Sequence, residues 1–187
     1  KWGIGLPGTE GTPDKQGFDF SYGYYDQGRA HGFFPHYLMR DGKPEPIPEN
    51  YKFSMKRVYV YNGRPTDRLD DVKNIYDENG RLVPDGVPTA TAAKYSEDLF
   101  QNEALSFIKK NRDNPFFLYY ATQLPHGPCI TPDLGAYKDK PWDLKHKEWA
   151  AMLGHLDRGV GKMVDLMEQL EILDNTVIFF AGDNGYS

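Results

Sequence analysis

The spacing of apolar positions changes character near Ala90. Beyond it, Phe100, Ala104, Phe107 and Ile108 recur at helical intervals behind Ser96-Glu97-Asp98, a group suited to a helix start. Lys109, Lys110 and Arg112 close the segment, where cations complement the helix dipole, and Pro115 follows. The apolar run 116–121 then has the length of a buried strand. A second stripe, Trp149, Met152, Leu153, Leu156, Val160, Met163, Val164 and Met167, predicts a helix over roughly 147–171. Gly154, Gly159 and Gly161 inside it each cost about 1 kcal/mol relative to alanine. Asp174-Asn175 turns the chain into another apolar strand, 176–181.

Residues 1–89 have a different texture: rich in glycine, proline, tyrosine and aspartate, with little helical period. Turn signals recur at Pro7-Gly8, Asp41-Gly42, Asn62-Gly63, Glu78-Asn79-Gly80 and Pro84-Asp85-Gly86. Residues 57–61 alternate as a short strand does. A long loop-rich stretch in a compact domain is uncommon unless it is functional, and here it reads as the wall of a binding cleft. The aromatic residues Tyr22, Tyr24, Tyr25, Phe33, Phe34 and Tyr37 fit either a sugar-binding wall or a core.

Helix, strand, helix, strand implies an α/β fold with a mainly parallel sheet flanked by helices. Strands joined by a crossover helix share a direction, so their carboxyl ends meet at one edge, where open α/β sheets bind ligands. That edge carries the loops 122–128 and 182–187, and with them His126, Asp183 and Asn184.

Composition narrows the classes further. The 187 residues, 39% hydrophobic and 14% aromatic, suit one globular domain with a real core. No run approaches the roughly 18 apolar residues of a membrane span. A net charge of -5, with scattered basic residues, argues against nucleic acid as a partner. Cys129 is the sole cysteine, which excludes an internal disulfide and reads as a packing residue in a turn rather than a nucleophile. The chain starts and stops abruptly, so it is expected to be a piece of a longer protein.

Asp183 and Asn184 are adjacent oxygen donors of the kind a hard cation such as Ca²⁺ or Mg²⁺ prefers, although Asp-Asn-Gly is equally a turn sequence. Prolines on both sides of His126 stiffen its loop, which suits a proton donor or anion contact; the plain alternative is a surface histidine.

Pro115-Phe116-Phe117-Leu118-Tyr119-Tyr120-Ala121 with Pro125-His126-Gly127-Pro128 resembles the sulfatases of the alkaline phosphatase superfamily. So does Leu156-Asp157-Arg158-Gly159-Val160-Gly161, leading to Val177-Ile178-Phe179-Phe180-Ala181-Gly182-Asp183-Asn184-Gly185. Lys1-Trp2-Gly3-Ile4-Gly5 looks like the family's lysine segment. The resemblance implies an incomplete alkaline-phosphatase-like domain: 1–187 as an internal part of one catalytic domain, 1–89 its cleft wall and 90–187 its core.

It implies equally a hydrolase of sulfate esters, an arylsulfatase-like enzyme acting on a sulfated carbohydrate or aryl sulfate. In the family a cysteine- or serine-derived formylglycine is the nucleophile and a divalent cation, usually Ca²⁺, binds it. Carried over by motif, Asp183 and Asn184 would be metal ligands, Lys1 a sulfate contact, and His126 a sulfate contact that helps protonate the leaving group. An exported home, periplasmic or secreted, is implied as well.

The chain departs from the pattern in several places. Gly3 stands where the lysine segment often carries histidine, and His31 is the candidate cleft residue that binds substrate instead, or else a surface histidine. No Cys-X-Pro-X-Arg or Ser-X-X-X-Arg signature appears, nor the upstream aspartate pair that completes the family's cation site, nor the second lysine that the family carries beyond the position of Asp183-Asn184. This chain alone is therefore expected to be inactive and to depend on the remainder of its own catalytic domain. The alternatives are a phosphodiester or phosphonate hydrolase of the same superfamily, or a non-catalytic carbohydrate-binding module.

Overall fold

The computed structural model describes residues 1–50, 59–61, 64–66, 77–81, 93–127 and 129–183. Its largest elements are two helices, α1 (Ser96–Asn111) and α2 (Leu144–Gln169). Before them lies a three-stranded antiparallel sheet of β1 (Tyr22–Gly23), β2 (Tyr37–Arg40) and β3 (Lys43–Pro46), in that order. A separate antiparallel pair joins β4 (Tyr59–Tyr61) to β5 (Arg64–Thr66). The turns expected at Asn62-Gly63 and Pro84-Asp85-Gly86 lie outside the described residues.

The β2–β3 hairpin follows directly from its turn. Asp41 and Gly42 both have positive φ, 47° and 78°, as a tight two-residue hairpin turn requires. That fixes the register Arg40↔Lys43. Arg40 then reaches across to α1, donating to Glu103 at 2.6 and 3.0 Å and to Glu45, with its guanidinium 4.4 Å over the Tyr22 ring. The paired guanidinium holds the Glu45 carboxyl below its ordinary range.

α1 forms where its pattern predicts, burying Phe100, Ala104 and Ile108. α2 differs at both ends. It begins just after Asp143, which has an extended backbone and accepts from the amides of His146 and Lys147. It stops because Glu171 adopts the left-handed conformation, φ 57°. The Glu171 amide then bonds Glu168 O and the Ile172 amide bonds Met167 O, the paired closure of a Schellman motif. The buried face is also rotated: Glu148, Ala151, Gly159 and Leu166 are inside, whereas Trp149 and Leu153 are exposed. Gly159 has a reason to be glycine, since a Cβ there would stand 2.4 Å from the Gln101 amide nitrogen of α1.

Three apolar clusters hold these parts together. Tyr24, Ala30, Leu38, Ile47 and Phe100 pack the sheet on α1. Ala104, Ile108, Met163, Leu166 and Met167 join the two helices. Phe33, Phe34, Tyr95, Leu124, Ile130, Met152 and Leu156 form the third. Tyr24, Tyr25, Phe33 and Phe34 are thus core rather than a sugar wall, while Tyr22 and Tyr37 are half-buried.

The expected buried strands are corrected in two respects. Residues 116–121 and 176–181 are unpaired as ladders among the described residues, so the paired strands seen are antiparallel. Neither segment is enclosed. In 116–121, Phe116, Leu118 and Tyr120 pack on the helix cluster, whereas Phe117 is 74% exposed and Tyr119 projects outward with it. In 176–181, Phe179 is 91% exposed. Helices cover one face of 116–121, and a strand in a parallel sheet needs strand neighbours and a second covered face.

Candidate active site

Two loops converge on one place from distant parts of the chain. The first follows a 3-10 turn, Arg29–His31, whose start is fixed by the Asp26 carboxylate accepting from the amides of Gly28 and Arg29. The second leaves the 116–121 segment and carries Thr122, Gln123, Leu124, Pro125 and His126. Thr122 Oγ1 accepts from the Leu124 amide, Gln123 O accepts from the His126 amide at 2.9 Å, and Leu124–Pro125 is cis. Leu124 and Ile130 anchor the loop in the Phe33–Tyr95 cluster.

The result is a pair of imidazoles. The rings of His31 and His126 lie 4.6 Å apart between centroids, edge to face at 66°. His31 is half-buried and its Nδ1 lies 3.2 Å from Gly28 O; His126 is exposed and its Nδ1 bonds Gly127 O. A carbonyl only accepts, so both Nδ1 atoms carry protons, and in the neutral rings Nε2 is the acceptor nitrogen. Two loop histidines singled out separately in the sequence thus share one surface.

Lys1 is fastened to the segment that leads into the second loop. Its main-chain nitrogen donates to Ala121 O at 3.0 Å, and the Trp2 amide donates to Tyr24 O. A cleft of about 550 Å³ opens along Lys1, Phe117, Tyr119 and Thr122. The imidazoles do not line it; its walls come from residues 16–25, α1 and residues 115–122.

Beneath the site lies a polar group that the sequence reading missed. Glu97, in the first turn of α1, is fully buried, and its Oε1 accepts from the Tyr120 hydroxyl. Burial pushes its carboxyl up from the ordinary range, against the pull of hydrogen bonds from Tyr120 and Thr122. The Tyr120 phenol is pushed up too, first by burial and then by the facing carboxylate. Cys129, half-buried against the same core, has its thiol pushed up by burial, which disfavours the thiolate that a nucleophile needs.

Asp183 is exposed, two residues past Ala181, and Asn184 lies outside the described residues. Among the described residues no group of three or more His, Cys, Asp or Glu side chains could hold a metal ion. A hard cation takes six to eight oxygen ligands, or near-octahedral geometry for Mg²⁺, so the donors here do not by themselves amount to a cation site. No helix among the described residues is long and apolar enough to cross a membrane.

Comparison with known proteins concerns the chain as a whole. The family model described as Sulfatase matches residues 10–187. Human N-acetylgalactosamine-6-sulfatase is 34% identical over 90 residues, 46% of this chain and 16% of the relative. The N-acetylgalactosamine-6-O-sulfatase of Bacteroides thetaiotaomicron is 24% identical over 224 residues, covering 99% of this chain and 39% of the relative. The crystal structure of Ps i-CgsB superposes with a TM-score of 0.55 at 27% identity, covering 89% of this chain and 32% of that one. Its complex with k-i-k-neocarrahexaose gives 0.54 at 28% identity, with the same coverage. The chain therefore spans well under half the length of these relatives.

Proposed function

This chain belongs to the sulfatase family, and from that premise we propose that it is an internal part of one catalytic domain that hydrolyses sulfate esters. The observation that carries the reading is the His31–His126 pair, at the end of the segment to which Lys1 is also fastened. Two imidazoles on converging loops, with Lys1 fastened to the segment that leads into one of them, suit an anion with a basic leaving oxygen. With its Nδ1–H held by Gly127 O, His126 acts as the imidazolium and gives its Nε2 proton to the ester oxygen as the nucleophile from the rest of the domain attacks sulfur and the S–O bond breaks; the Lys1 ammonium contacts the sulfate, and His31 holds the substrate beside His126.

The remainder of the domain supplies what this chain does not: the formylglycine nucleophile and the other cation ligands. Asp183 and Asn184 would be two oxygen ligands of that site, which would take Ca²⁺ or Mg²⁺. Residues 116–121 and 176–181 become parallel strands of an alkaline-phosphatase-like sheet when that remainder packs on them. The outward Phe117, Tyr119, Val177 and Phe179 support this, because large apolar groups so exposed are a face awaiting cover. Residues 1–89 wall the cleft while giving Tyr24, Phe33, Phe34 and Leu38 to the core that 90–187 completes, and the whole protein is exported.

A sulfated carbohydrate is the favoured substrate class. The relatives are named for a sulfated amino sugar, and the solved neighbour was captured with a neocarrahexaose. The complete protein is expected to release sulfate from an aryl sulfate or sulfated glycan, and the isolated chain to release none. Turnover of a phosphate diester in preference to the sulfate would reverse the assignment.

A further inference from the structure

The two histidines stand on separate loops, and one buried side chain spans them. Gln123 is 4% exposed, and both ends of its amide are used. Its Nε2 donates to Gly32 O at 3.1 Å, one residue beyond His31. Its Oε1 accepts from Ser96 Oγ at 3.1 Å, in the first turn of α1. Its main-chain carbonyl accepts from the His126 amide at 2.9 Å. The amide orientation is fixed by chemistry, since the Gly32 carbonyl can only accept and the Ser96 hydroxyl can donate.

The partners of Gln123 are themselves held. Gly32 O also accepts from the Tyr24 hydroxyl at 2.8 Å, and the Ser96 amide donates to Phe33 O at 2.8 Å. Asn50, fully buried, donates to Pro35 O and Lys94 O and accepts from the Lys94 amide, so the His31 loop is tied to the approach to α1 a second time. Within this frame Gln123 is the side chain that reaches from the loop of His126 to the loop of His31.

We propose that Gln123 is the positioning residue of the histidine pair, setting the spacing and orientation of His126 against His31. The role rests on the sulfate-ester reading of the site. Glutamine suits it because one amide tip offers a donor and an acceptor on opposite sides. A glutamate would face the Gly32 carbonyl with a second acceptor, and a methionine would leave both partners without their bond. The Gly32 carbonyl would keep only the Tyr24 hydroxyl, and the buried Ser96 hydroxyl would lose its acceptor, which is costly, so the loops would shift to recover a partner.

The test is Gln123→Met in the complete protein, which keeps side-chain length and removes the amide. Histidine-selective NMR in the unmodified protein is expected to show a cross-ring contact between His31 and His126, with both Nδ1 atoms protonated. In Gln123→Met that contact is expected to disappear. Aryl sulfate turnover should fall about 10- to 100-fold in kcat, the scale of an ångström-level misplacement, with KM changing less. Adding Gln123→Met to His126→Ala should then cost little more than His126→Ala alone. Ser96→Ala, which removes only the bond to Oε1, should show the same changes at smaller amplitude and serves if the methionine variant does not fold. An unchanged cross-ring contact in either folded variant, or fully additive losses, overturns the proposal. If the unmodified protein releases no sulfate, the functional reading fails, while the NMR contact still decides whether Gln123 holds the pair.

Discussion

His31 and His126 face each other edge to face at 4.6 Å, although one closes a 3-10 turn near the start of the chain and the other sits in a proline-flanked loop in its second half. Neither packs in the core: His126 is exposed and His31 half-buried. Their Nδ1 atoms bond the carbonyls of Gly127 and Gly28. On the proposed reading the pair separates two roles, a proton donor at the exposed ring and a substrate contact at the sheltered one.

Substitution of His31 should reveal that division. His31→Asn in the complete protein is expected to raise KM for a sulfated sugar about tenfold, the loss of one charge-assisted hydrogen bond. The kcat should change by less than that. Steady-state kinetics measure both, and a loss confined to kcat would assign His31 to the chemical step instead.

Glu97 should make stability depend on pH. Its carboxyl is raised in the folded protein above the ordinary 4.5, chiefly by burial. Between 4.5 and its folded value the native state holds more protons than the unfolded one, so stability falls as pH rises through that window. Glu97→Gln carries no such charge. Its melting temperature relative to the unmodified protein should therefore climb with pH from about 4.5 upward, read by thermal unfolding across a pH series. A difference that stays flat, or shrinks, would mean that the carboxylate is stabilised where it sits.

The glycines of α2 should behave unequally. Gly161 has nothing within 4 Å of an added Cβ, so Gly161→Ala is expected to stabilise by up to about 1 kcal/mol. Gly159→Ala must displace the Gln101 amide, which donates to His155 O at 3.4 Å, and should gain little or lose stability. Denaturant titration of the two variants measures the difference.

Asp183 is the donor most directly open to a cation test. In the complete protein, Asp183→Ala should weaken Ca²⁺ binding by more than about 100-fold, since changes to groups merely behind a metal ligand already cost 10- to 100-fold. Calorimetric titration of the metal-free protein reads this directly, and unchanged affinity would return Asp183-Asn184-Gly185 to a simple turn.

The parts of this fold that were legible in the sequence are those with local causes. α1 follows from its apolar period and the acidic start at Glu97 and Asp98, and the β2–β3 hairpin from Asp41-Gly42. The end of α2 was not legible, because the left-handed closing position is held by Glu171, where the usual signal is glycine. The burial of 116–121 and 176–181 failed for another reason: an apolar run states what a segment prefers, while its cover depends on chain distant in sequence. His126 stood out through its prolines, but nothing local in the sequence pairs it with His31. Gln123 carries no signal at all, since its function lies in three hydrogen bonds to partners far apart in the chain.

The most direct measurement is sulfate release from an aryl sulfate by the complete protein and by its His126→Ala variant, under saturating Ca²⁺. The unmodified protein is expected to turn over, and the variant to lose about 10²- to 10⁴-fold in rate, the range of a positioned proton donor. No release by the unmodified protein, or undiminished release by the variant, would contradict the assignment of this histidine pair to a sulfate-ester site.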